Sequence, residues 1–87
     1  MERKTEQGSL TSKEKAVTYC LAEGLSNQEI AEKLHISIHT VKAHLESIYE
    51  KLEVNNRLQA VMRALILGYL SLSKISIKRA DVNKKYE

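Results

Sequence analysis

Apolar residues in the middle of the chain recur at helical spacing. Val41, Leu45, Ile48 and Leu52 fall at i, i+4, i+7 and i+11, on one side of a helix over residues 38–53. The opposite side of its first two turns carries His39, Lys42, Ala43, Glu46 and Ser47, mostly short or polar. Upstream, Ala16, Val17, Cys20 and Leu21 share a face of a helix over 12–23, and Ile30, Ala31 and Leu34 form the stripe of a shorter one over 27–34. A fourth amphipathic stretch follows Asn56 and has two apolar stripes. Ala60, Val61, Ala64 and Leu65 form the inward one, while Leu58, Met62, Ile66 and Tyr69 line a second about 100° or more away at 3.6 residues per turn. A single small core cannot easily bury both, so the second stripe is expected to meet a partner.

Local punctuation sets the boundaries. Thr11 and Glu14 have the spacing of a capping box, in which the hydroxyl accepts from a free backbone amide and the carboxylate reaches back to the cap; Ser26 and Glu29 repeat it. Gly24 and Gly68 stand where the first and fourth helices should end, and Asn56, with Gln59 three residues on, caps the start of the fourth. Between the second and third helices only His35, Ile36 and Ser37 remain. That is a tight turn, with Ser37 capping the next helix and Ile36 plugging the corner. The predicted class is all-α, four helices with a helix-turn-helix at the centre. Leu72 to Lys78 alternates with the period of a strand but has no partner strand in sight, and the whole tail 71–87 is expected to be mobile.

Composition narrows the choices. Hydrophobic residues at 43% and charged residues at 29% are ordinary globular usage, which argues against disorder over most of the 87 residues. Pro is absent and Gly occurs three times, which favours helices over strands. Cys20 has no second cysteine to pair with, Met1 to Ser9 is polar, and no apolar run approaches the ~20 residues of a membrane span. A soluble cytoplasmic protein with no membrane partner is expected. The net charge of +3 is uneven: residues 26–56 set Lys33, Lys42 and Lys51 against five glutamates, a net −2, and the positive excess lies after residue 56. Charge by itself therefore gives only weak support for an anionic partner.

Catalytic and metal chemistry find no purchase. His35 and His39 straddle the turn, and no Cys or carboxylate completes a ligand set with them and His44 at a familiar spacing. Cys20 sits in an apolar stripe, where a thiol acts as a small hydrophobe. There is no phosphate-binding glycine loop and no Ser-His-Asp set. No enzyme activity, metal or cofactor is expected.

Three signatures carry a resemblance. Leu10-Thr11-Ser12-Lys13-Glu14, then Gly24-Leu25-Ser26-Asn27-Gln28-Glu29-Ile30-Ala31, then Thr40-Val41-Lys42-Ala43-His44 with Ile48, Lys51-Leu52, Val54, Arg57 and Ala60, follow without a gap. In order and spacing the run 10–70 resembles the LuxR-family, or FixJ/NarL-type, DNA-binding domain found at the C-terminus of many bacterial response regulators and quorum-sensing receptors. On that basis residues 1–9 correspond to a flexible N-terminal segment or linker, 10–70 to a four-helix LuxR-type helix-turn-helix domain, and 71–87 to a basic tail beyond the family domain. The resemblance implies a transcriptional regulator, stand-alone or an output domain, whose third helix enters the major groove while the second positions it.

It also implies roles residue by residue. Lys42, Ala43 and Glu46, with His39 beside them, face base edges of double-stranded DNA, and Asn27, Ser37, Thr40, His44 and Lys51 lie near backbone phosphates. Chemistry allows Lys42 to reach guanine O6 and N7 or a phosphate, and Ser37 and Thr40 to contact phosphate, cap the helix, or both. Leu58, Met62, Ile66 and Tyr69 form the expected homodimer interface, and RNA polymerase stands as a further partner. Two departures are visible. Glu46 occupies a position where the family often has a basic or neutral residue, and Ala16, Thr18 and Tyr19 replace the usual residues of the first helix. The competing reading is a protein-interaction module or antagonist of another regulator that works through the outer face of the fourth helix.

Overall fold

The computed structural model describes residues 9–77. Among them run α1 (Ser12–Ala22), α2 (Asn27–Leu34), α3 (Ile38–Leu52) and α4 (Arg57–Ile66), followed by a single 3₁₀ turn at Leu72–Lys74. Every α-helix starts on a side chain that accepts from a backbone amide three residues on. Thr11 takes Glu14 N–H at 3.1 Å, Ser26 takes Glu29 N–H at 3.1 Å, Ser37 takes Thr40 N–H at 3.0 Å and Asn56 takes Gln59 N–H at 2.9 Å. In α1 and α2 the glutamate answers back to the cap's own amide, at 3.0 and 2.8 Å. The capping boxes read from spacing are both present.

Helix ends are less uniform. The chain turns out of α1 at Gly24 (φ 87), but α2 and α3 close on non-glycine residues in the left-handed region, His35 (φ 58) and Glu53 (φ 59). Each stop is held by a long backbone bond, Ile36 N–H to Ala31 O at 3.0 Å and Val54 N–H to Tyr49 O at 2.9 Å. Ile36 and Val54 themselves pack against the core, which offsets the steric penalty of roughly 1–2 kcal/mol for a left-handed L-residue.

α3 is the central element and packs against all three others, while α1 also packs against α4. Val17, Ile30, Val41 and Ile48 are completely buried at the centre, Leu45 and Leu52 extend the α3 stripe, and Ala60 and Ala64 let α4 approach closely. Leu10 and Leu70 cover the two ends. Thr18 is buried in α1 with its hydroxyl donated to Glu14 O at 2.7 Å, and the Tyr19 hydroxyl accepts from Ser71 N–H at 2.9 Å, fastening α1 to the chain beyond α4. Every buried side-chain polar atom among the described residues has a hydrogen-bond partner.

The strand-like alternation after Leu72 does not produce a strand among the described residues. With no neighbouring strand to take its amides, the backbone closes local bonds instead, Lys74 N–H to Ser71 O at 2.9 Å and Ile75 N–H to Leu72 O at 3.2 Å. Residues 1–8 of the expected N-terminal segment or linker, and residues 78–87 of the expected tail, lie outside the described residues. No helix among the described residues is long and apolar enough to cross a membrane.

Candidate nucleic-acid interface

Burial of one side of α3 fixes what the other side presents. Val41, Leu45, Ile48 and Leu52 hold the helix in the core, and His39, Lys42, Ala43 and Glu46 are exposed on the opposite face, at i, i+3, i+4 and i+7. These four line one shallow concavity of about 310 Å³. It combines a long cation, an acceptor-only carboxylate one turn on, and a methyl between them that lets a surface approach closely. Ser37 and Thr40 sit at the start of the helix, with their hydroxyls 2.9 Å apart while Ser37 also caps.

A second stripe of α3 runs along its flank through Thr40, His44, Ser47 and Lys51, each half-buried. Its C-terminal half is tied to α1. Glu14, only 5% exposed, accepts from Ser47 Oγ at 2.7 Å and from Lys51 Nζ at 2.8 Å, in addition to its capping bond. Ser47 thus belongs with this flank and not with the exposed side opposite the apolar stripe, where its spacing places it, because a buried carboxylate draws the nearest hydroxyl inward. Burial works to raise the Glu14 pKa, but hydrogen bonds from Lys51, Ser47 and Thr11, with the Lys51 charge, outweigh it and hold the carboxyl below its usual 4.5. Lys51 is correspondingly engaged with protein.

Asn27 has a similar double character. Arg57, from the start of α4, donates to Leu25 O at 2.9 Å and to Asn27 Oδ1 at 2.7 Å. An arginine can only donate, so it claims the amide oxygen and leaves the Asn27 N–H donors, the half a phosphate requires. On α4, Leu58, Met62 and Ile66 are 69%, 52% and 77% exposed. They line an apolar groove of about 550 Å³ with Glu53, Val54, Gln59 and Arg63. Tyr69 does not join them: α4 ends at Ile66, Gly68 (φ 85) turns the chain, and Tyr69 packs against the core. The helical period that would reach Tyr69 stops before Gly68.

The family model for bacterial regulatory proteins of the luxR family matches residues 8–64, a span that takes in α1, α2, α3 and most of α4. The chain belongs to the luxR family. This luxR-family domain is 54% identical over 54 residues, 62% of its length, to the helix-turn-helix-type protein YhjB of Escherichia coli (strain K12). It is 42% identical over 64 residues, 74% of its length, to the transcriptional regulator AlkS of Alcanivorax borkumensis. It is also 51% identical over 55 residues, 63% of its length, to the response regulator protein VraR of Staphylococcus aureus. The chain spans 27%, 7% and 26% of these relatives. The family is one of bacterial regulatory proteins, and these relatives are themselves named as transcriptional or response regulators.

What local pattern did not reveal about the luxR-family domain is the set of long-range polar contacts. Glu14 was legible as a cap but not as the partner of Ser47 and Lys51, 33 and 37 residues away, and Arg57 was legible only as part of the family signature. Cys20 is buried, and burial pushes its thiol pKa up, away from nucleophilic chemistry.

Proposed function

We propose that this luxR-family domain binds double-stranded DNA sequence-selectively, with α3 in the major groove, and serves as the output domain of a transcriptional regulator, stand-alone or C-terminal in a larger one. The observation that carries the reading is the exposed His39–Lys42–Ala43–Glu46 face, which lines one shallow concavity and is backed by a buried stripe that holds α3 in the core. Lys42 donates to guanine O6 and N7, Glu46 accepts from cytosine N4, and Ala43 lets the helix sit deep. Ser37, Thr40, His44 and the free Asn27 amide group meet phosphates and fix the register. Leu58, Met62 and Ile66 join two copies on DNA, with RNA polymerase as a further partner. The domain acts in the cytoplasm and has no enzyme activity of its own. An interaction module working through α4 alone would leave the α3 face unexplained.

Selection of bound fragments from a genomic pool tests this. The expected product is a motif of two half-sites about one helical turn apart, lost with Lys42→Ala. Recovery of fragments without a common motif, by a folded protein, contradicts it.

A further inference from the structure

Glu14 lies in α1, away from the face assigned to DNA, yet groups from two helices converge on its carboxylate. Thr11 N–H and Lys51 Nζ meet Oε1 at 3.0 and 2.8 Å, and Ser47 Oγ meets Oε2 at 2.7 Å. Cohesion alone does not call for such a group. α1 already packs against α3 through the hydrophobic core, and buried ion pairs can often be replaced by apolar residues without loss of stability. What the carboxylate adds is direction. Apolar contact tolerates some rotation of a helix about its axis, whereas two hydrogen bonds to residues one turn apart, on one flank, resist it. At the outer radius of a helix with its side chains, about 6 Å, a rotation of about 10° displaces a side-chain group by about 1 Å, enough to spoil hydrogen bonds whose tolerance is a few tenths of an ångström.

We infer that Glu14 is a positioning residue for DNA reading: through Ser47 and Lys51 it sets the rotation of α3, and so the aim of Lys42 and Glu46. Lys51 acts in this clamp and not as a phosphate contact. The inference rests on the reading of α3 as the groove helix.

The test measures the affinity of the full chain for the selected operator and for random DNA across a salt series, at a temperature where circular dichroism shows each variant folded. In Glu14→Gln selectivity for the operator falls about tenfold, the loss of one correctly read base pair, while binding to random DNA is retained. A merely structural role would lower both equally. Lys51→Met also lowers selectivity but leaves the salt dependence unchanged, whereas removal of a true phosphate contact reduces the slope of log affinity against log salt by about one. Should Glu14→Gln fail to fold, Ser47→Ala removes one of the two α3 bonds and carries the same expectation. Wild-type selectivity in a folded Glu14→Gln or Ser47→Ala, or a reduced slope in Lys51→Met, overturns the inference alone. A wild type that binds all DNA alike overturns the reading of α3 and the inference with it.

Discussion

Lys42 and Glu46 stand one turn apart on the same face of α3 and offer opposite chemistry, a donor and an acceptor. Lys42→Ala should weaken operator binding by about 1–3 kcal/mol, roughly five- to 150-fold, as read by fluorescence anisotropy. Glu46→Gln adds donors to a group that could only accept, so selection repeated with this variant should return a motif relaxed at one cytosine. Glu14 supplies a pH prediction. Its folded pKa lies below 4.5, so its stabilisation is complete above that value and is lost as pH falls through the folded value. In thermal unfolding series the gap between wild type and Glu14→Gln should stay constant at neutral pH and close as the pH drops below 4.5. A gap unchanged into strong acid would show that the charge of Glu14 contributes nothing.

At the scale of elements, what is written locally was legible. Helix starts depend on side chains three residues apart, and so Thr11, Ser26, Ser37 and Asn56 could be read directly. Ser26→Ala should cost about 1 kcal/mol in chemical denaturation, the worth of an N-cap. Ile48→Ala, which empties a completely buried site, should cost about 2–5 kcal/mol. The ends of α2 and α3 were harder, because His35 and Glu53 take left-handed conformations without glycine and are held there by Ile36 and Val54 settling on the core. The exposed face of α3 was legible because it is the complement of an apolar stripe. Ser47 was misplaced because helical phase puts it near the edge of that face, and the carboxylate that draws it away belongs to another helix. Tyr69 was misplaced because periodicity does not know where a helix stops.

At the scale of the molecule, the residues proposed to bind DNA and those proposed to pair two copies fall on different helices. α3 shows its polar face while α4 shows Leu58, Met62 and Ile66 to solvent, and α3 and α4 pack together. A two-fold pairing through α4 would therefore fix the separation of two recognition helices. Met62→Asp should abolish pairing in sedimentation velocity with operator DNA and leave monomeric complexes on single half-sites. The described face of α3 contributes little net charge, since Glu46 opposes Lys42 and Glu14 holds Lys51. Selectivity, more than bulk electrostatic pull, is thus the property to measure. The most direct measurement is affinity for the selected operator against random DNA over a salt series, wild type beside Lys42→Ala. A selective wild type, with selectivity lost in the variant and the salt slope left nearly unchanged, as for a base contact and not a phosphate contact, is the predicted result. Equal binding of both DNAs by wild type, or a Lys42→Ala variant that keeps full selectivity, would contradict the assignment of α3 as the reading helix.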